Sequence, residues 1–397
     1  VASVNQLFGN GQAETISFVH TDDFCITLSL YGNQHAMQTF LLTLESFVWL
    51  PKVIFYEENS YGDYIMNKRL AAVIIIIVAF LGVAFFQTSK PQTAKKQYIP
   101  TVGILQLVTH PALDQIHKGV VAGLAHEGYT KGKIKIDYQN AQADQSNLKT
   151  MSQKFANENA DLTVGIASPA ALSLAKTADG QTPVILAGIT DPVGGGLVKS
   201  TQRPGKNITG TSGDSPLQQH LDVIKEVVPA AKKLGIIYTT SDHGGEYNAK
   251  KMATLAKSQG YDVKMYTIAT TNDMQQIAET MAGQVDVVYA PQDNGVASAM
   301  KTLINVTNQE KIPVIPAVDT MVKDGGLATI SVSQYDIGYQ AGIMAAKVLK
   351  GKNPATYPVK TITKGVPVVN EKQAKLLGVT LPQSLVKDAE SKGEVIK

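Results

Sequence analysis

From residue 98 onward, short runs of branched apolar residues alternate with longer stretches in which apolar positions return every three or four residues. That is the signature of strands alternating with amphipathic helices, an α/β chain. The first strand is expected over 101–107, and the helix after it carries Ile116, Val120 and Leu124 at four-residue spacing. Strand 134–138, a helix holding Leu148, Met151 and Phe155, strand 162–166, helix 170–177 and strand 184–187 complete one doubly wound lobe. A passage rich in glycine and proline, 194–213, then breaks the rhythm and suits turns or hinge backbone. The alternation resumes with helices over 217–228, 247–259, 272–281 and 294–309 and strands over 234–238, 263–268, 285–290 and 314–316, a second lobe of the same design. Strand 327–332 and helix 335–349 follow, then an apolar run at 366–369 and a short helix at 371–377. This order predicts one lobe from 98–212 with 327–352 and another from 213–326 with 353–397. Two Rossmann-like lobes joined by several crossovers form a hinged clamp, with the carboxyl ends of the strands facing the cleft.

The first hundred residues break from this pattern. Leu70–Phe86 contains no charged residue and follows Lys68 and Arg69, as a secretion signal or membrane anchor does. An uncleaved anchor is expected, with cleavage near 86–90 as the alternative. Residues 87–97 read as a polar spacer. Residues 1–65 read as an upstream extension without an assignable fold, with Met66 as a start; a second apolar helix around 37–50 is the other reading.

Charge sharpens that break. Residues 1–65 hold seven acids and one base, Lys52, whereas the remainder carries a net charge of +9. The lysines of the body are scattered, without an arginine stripe or interleaved aromatics, so no nucleic-acid partner is expected. The single cysteine, Cys25, excludes a disulfide framework and a thiolate metal cluster. The seven histidines form no His-x-x-x-His pair, and no phosphate-binding, dinucleotide-binding or serine-hydrolase motif is present. No cofactor, metal or catalysis is therefore expected.

Several stretches carry a resemblance: Val102–Leu105 (VGIL), Thr109–Leu113 (THPAL), 165–171 (GIASPAA), 189–192 (ITDP), 207–210 (NITG), 292–294 (QDN) and 338–342 (GYQAG) ending at Leu349-Lys350-Gly351. Together they resemble ABC transporter substrate-binding proteins of the type I periplasmic-binding fold, in the Gram-positive branch associated with tryptophan and other aromatic amino acids. The resemblance implies an extracytoplasmic, monomeric clamp at the cell membrane that captures tryptophan, phenylalanine or tyrosine and hands it to permease subunits. A different small solute, or a sensory clamp serving a membrane receptor, is the alternative. No lipid-anchoring cysteine follows the apolar run, so attachment would come from Leu70–Phe86 or not at all.

Candidate ligand residues follow the predicted strands. In the first lobe they are Thr109, His110 and Leu113, then Ser168, Ala170 and Ala171, then Thr190 and Asp191. Ser168 beside helix N-terminal amides offers a seat for a carboxylate, or is only a cap. In the second lobe the stretch 241–248 is flagged, with Tyr247 and Asn248 as residues that could cross the cleft. Gln292, Asp293, Asn294 and Asp319 complete the set. Asp293, then Asp319, is the expected partner of a ligand ammonium; either could instead cap a helix. Tyr335 could face an aromatic ligand or pack its own helix.

Overall fold

The computed structural model describes residues 14–20, 24–30, 68–88, 98–178 and 180–397. The chain divides into two compact units, Val1–Thr93 and Ala94–Lys397. In the first unit, β1 (Glu14–His20) pairs antiparallel with β2 (Phe24–Leu30), and a helix spans Lys68–Thr88. Side chains of that helix are described over 72–84, and all of them are exposed. Among the described residues no helix is long and apolar enough to cross a membrane; the ends of the Leu70–Phe86 run lie outside the described side chains. The expected second apolar helix around 37–50 also lies outside the described residues.

In the second unit, six strands form the first lobe's sheet: β3 (Thr101–Gln106), β4 (Lys135–Asn140), β5 (Leu162–Ile166), β6 (Val184–Ile189), β7 (Ile208–Gly213) and β13 (Lys360–Ile362). Their order is β13-β7-β6-β5-β3-β4, and all pairs are parallel. The central strands β3, β5 and β6 are buried on both faces, which is why they read as continuous apolar runs, whereas the edge strands β4 and β13 are partly exposed. The second lobe holds the parallel sheet β11-β10-β8-β9, from β8 (Lys233–Thr239), β9 (Asp262–Ile268), β10 (Val287–Ala290) and β11 (Val314–Pro316). A separate three-stranded sheet, β12-β14-β15, joins β12 (Ala328–Val332), β14 (Gly365–Asn370) and β15 (Glu394–Ile396). The second lobe is therefore not a copy of the first.

Each lobe has its own core. One cluster gathers Ile104, Ile116, Leu162 and Leu186 with Ala341 and Ala345; the other gathers Leu221, Ile236, Met281 and Tyr289 with Leu327, Val369 and Leu385. The crossovers differ from the expected boundaries. β12 pairs antiparallel with β14 and so stays in the second lobe, placing the crossing at Ser333. β13 adds to β7 in the first lobe, so the last crossing falls at 363–364. Helix Gln334–Leu349 packs on helix Pro111–His126 by close backbone approach: a Cβ on Gly338 would stand 2.0 Å from the Ile116 carbonyl oxygen, and one on Gly342 2.2 Å from that of Val120.

Three further elements depart from expectation. β7, expected as hinge backbone, is a fully buried strand. Its hydroxyls replace apolar packing with hydrogen bonds: Thr209 donates to the Tyr357 carbonyl, and Thr211 to those of Ile337 and Leu186. The expected helix 294–309 is two, Asn294–Ser298 and Met300–Gln309, meeting at Ala299. A helix at Gln383–Lys392, unmarked by strong periodicity, buries Leu385 and Ala389.

The second core encloses a polar pair that makes folding pH-dependent. His220 and Tyr289 are fully buried. Tyr289 OH donates to Nδ1 of His220 over 2.9 Å, and Nε2–H donates to the Ile330 carbonyl, also over 2.9 Å. Burial pushes the His220 pKa from 6.5 down to about 4. As pH falls, the unfolded chain takes up this proton first. The stabilisation from the neutral ring is complete above the unfolded value and is lost progressively through 6.5 to 4, about 3 kcal/mol in all. Urea unfolding at pH 7 and pH 4 should show His220→Gln losing less stability between those values than the parent. Equal losses would assign the acid sensitivity to other groups.

Candidate ligand-binding cleft

The chain reverses direction across each parallel sheet at one place. In the first lobe this is between β3 and β5, because β4 lies on one side of β3 and β5 on the other. In the second it is between β8 and β10, for the same reason. Loops leaving the carboxyl ends of strands at such points splay apart and leave a crevice. The residues there are Thr109, His110 and Ser168 in one lobe, and Asp242, Asp293 and Asn294 in the other.

The two crevices meet. His110 Nε2 lies 3.1 Å from Asn294 Oδ1, across the lobes. Asn294 in turn donates from its backbone N–H and its side-chain amide to Asp242 Oδ2, at 2.9 and 2.5 Å. Asp242 caps helix His243–Ser258 by accepting from the Gly245 N–H. With Asn294 donating to Asp242, its oxygen faces His110, so Nε2 of His110 carries the proton. Nδ1 is then a bare acceptor; it is buried and has no hydrogen-bond partner among the described residues. Burial holds the His110 pKa below its usual value, against the opposing bond from Asn294.

A second contact closes the cleft beside the first. His243 Nε2 lies 3.4 Å from Asp191 Oδ2, an ion pair when the ring is protonated but too poorly aligned for a hydrogen bond. Asp191 Oδ1 accepts from the Gly194 N–H, fixing the turn after β6. A Cβ on Gly244 would stand 2.9 Å from Thr190 Oγ1, so the Thr190 side chain of one lobe rests directly on the Gly244 backbone of the other.

The expected ammonium partner is occupied. Asp293 is 2% exposed. Its Oδ1 accepts from Thr239 Oγ1 (2.6 Å) and the Val296 N–H (2.9 Å), and its Oδ2 from the Thr239 N–H (2.7 Å). It is the cap of helix Asn294–Ser298 and a strut between β8 and β10. Burial and the neighbouring Asp242 carboxylate push its pKa up, to about 7. Asp319 opens helix Asp319–Lys323, bonds Ser331 and pairs with Lys323.

The remaining candidates divide by environment. Thr109 accepts from the Asn140 amide at the rim, and Ser168, itself buried, opens its helix. Leu113, Ala170 and Ala171 are buried in the first core; Ala171 lies against Gly165, where a Cβ would come within 2.5 Å of its Cα. Asn248 is buried and donates to Ser215 at the first crossover, while Tyr247 lies under the Lys251 ammonium, 4.9 Å from its ring centroid. Gln292 donates to Gln334 at the second crossover. Tyr335 stacks on Tyr339 of its own helix. Asp242, His243 and Gly244 carry the cross-lobe contacts but were only part of the flagged stretch 241–248. The sequence signal for Asp242 is its place just before a helix start, where an aspartate caps.

Comparison with known proteins identifies the family. Residues 101–392 match the family described as ABC transporter substrate binding protein. The chain is 35% identical over 325 residues to the tyrosine-binding protein of Clostridioides difficile strain R20291, covering 79% of this chain and 93% of that one. A solved domain from Streptococcus pneumoniae in complex with L-Trp is 39% identical, covers 75% of this chain and all of its own, and superimposes with a TM-score of 0.73. The ligand-free, open structure of a substrate binding protein with adhesive properties from Clostridium difficile is 34% identical, covers 75% and 99%, and gives 0.60. In this chain the His110–Asn294 and His243–Asp191 contacts bring the two lobes together across the cleft.

Proposed function

The chain belongs to the ABC transporter substrate binding proteins, and on that premise we propose that it is the capture component of an importer for an aromatic amino acid. Members of this family are extracytoplasmic, bind small molecules and work with ABC permeases; they are solute-binding proteins, not enzymes. The observation that carries the reading is the cleft at the two facing switch points, bridged by the His110–Asn294 contact, in a chain 39% identical to a domain solved with L-Trp. The tyrosine-binding relative supports the same ligand class.

Within the cleft, the amides opening helix Ser168–Ala178 and the Ser168 hydroxyl suit a ligand carboxylate. Because Asp293 is consumed as a strut, the ammonium falls to the bare Nδ1 of His110 and to Asp191, with Thr109, Thr190 and Asn294 completing the polar wall. The apolar run Leu70–Phe86 supports attachment of a single copy to the outer face of the membrane.

Calorimetric titration of refolded residues 98–397 with all common amino acids tests the reading. One-to-one binding of tryptophan, phenylalanine or tyrosine is expected, weakened at least about tenfold by Ser168→Ala or His110→Ala. Binding only of a sugar or purine would leave the clamp and remove the ligand class. In cells fractionated in high salt, which screens surface charge, the full chain should sediment with membranes and residues 98–397 should not; equal release would remove the anchor.

A further inference from the structure

The lobe-1 end opposite the cleft is where all its parallel strands begin, and it carries a concentration of charge that ligand capture does not use. The loop leading into β4 carries Lys131 and Lys133, and Lys135 opens the strand; all three are exposed. The loop ahead of β7 carries Lys199, Arg203 and Lys206, and the end of helix Gln334–Leu349 carries Lys347, Lys350 and Lys352, again all exposed.

These loops form one continuous face. Lys135 N–H donates to the Pro100 carbonyl, Gly205 N–H to that of Ala355, and Val359 N–H to that of Thr201. Lys350 reaches Glu127 and lies 5.9 Å from the Tyr129 ring centroid, and Lys352 lies 5.5 Å from that of Tyr357. Among the described residues the acids at this end are Glu127, Glu158 and Asp161, and only Lys350 of the nine bases has an ion-pair partner. Residues 98–397 as a whole carry a net charge of only +4, so the excess is concentrated here and the rest of the body is close to neutral or acidic.

The same end is where the chain enters the body. Tyr98–Pro100 leads into β3 there, and the residues just before it include Lys90, Lys95 and Lys96, following the apolar run Leu70–Phe86. A basic face at the point of tethering is matched in charge to a surface of anionic lipid headgroups, which attracts lysines within about a Debye length. We propose that this end of the first lobe docks on the anionic membrane surface. Docking there occupies no cleft residue and leaves the second lobe free to close. The inference does not depend on which solute is bound.

Residues 98–397 suffice for the test. They hold both cores, and the solved relatives match this body over essentially their whole length. Co-sedimentation with phosphatidylglycerol–phosphatidylcholine vesicles should show binding that is absent on pure phosphatidylcholine and lost in high salt. The variant Lys133→Glu/Lys199→Glu/Lys352→Glu should reduce the partition coefficient by about tenfold or more. Lys257→Glu/Lys372→Glu/Lys387→Glu, with the same change of charge on the second lobe, should retain most of it. Unchanged melting temperatures will show that both variants fold. Equal binding to neutral vesicles, no binding to either vesicle, or equal losses in the two variants would overturn the proposal. So would binding only to a soluble polyanion such as heparin.

Discussion

Gly338→Ala is expected to destabilise the body by about 3 kcal/mol or more, although alanine is the better helix former. Helix propensity alone predicts a gain of about 1 kcal/mol from this change in a helix interior. The structure reverses the sign. Gly119 and Gly123 on one helix face Gly338 and Gly342 on the other, and each site is closed by backbone: Cβ atoms there would stand 2.2 Å from Tyr335 O, 2.2 Å from Tyr339 O, 2.0 Å from Ile116 O and 2.2 Å from Val120 O. A carbonyl cannot rotate away as a flexible side chain can. The helices must separate, withdrawing Ala341, Ala345 and Ile116 from the first core. Gly283→Ala is the control, because a Cβ there meets nothing within 4 Å and the change should stay within about 0.5 kcal/mol. Urea unfolding followed by circular dichroism measures both; a stabilised Gly338→Ala would show that the helix pair can part without loss.

How far such features could be read from the sequence depended on where their partners lie in the chain. Ile116, Val120 and Leu124 advertise their helix because spacing along one element is enough to place them on one face. β7 hid because its burial is made tolerable by partners far away: Thr209 bonds a carbonyl 148 residues on, and Thr211 one 126 residues on. The crossovers slipped by one strand for a related reason. Nothing within 327–332 says that it pairs with 365–370 and not with the first sheet. In the cleft, a strand-then-loop rule picked out His110, Asp191 and Asn294, which the structure places where the two lobes meet. It could not tell that Asp293 is spent on Thr239, 54 residues earlier, or that Leu113, Ala170 and Ala171 point their apolar surface into a core.

A leucine at Gly244 is expected to leave the body folded and to weaken amino-acid binding by about a hundredfold or more. The space missing at this position is missing only because the lobes are closed. A Cβ on Gly244 would lie 2.9 Å from Thr190 Oγ1 and 3.1 Å from Thr190 Cβ, both on the opposite lobe. Opening the clamp removes Thr190 and the clash together, so the penalty is borne by the closed state and hardly by the fold. A ligand held between two lobes gains its affinity from closure, and a wedge subtracts from that affinity directly. Gly245, the next residue, should behave in the opposite way. Its Cβ would stand 2.1 Å from Asp293 Oδ2 in its own lobe, a clash that opening does not relieve, so Gly245→Leu should lower the melting temperature of the unliganded body. Small-angle scattering with and without ligand, beside thermal melts, separates the two. The parent should contract on adding ligand and Gly244→Leu should not. A Gly244→Leu body that binds as tightly as the parent and still contracts would mean that the lobes close around a different axis from the one that brings Thr190 against helix His243–Ser258.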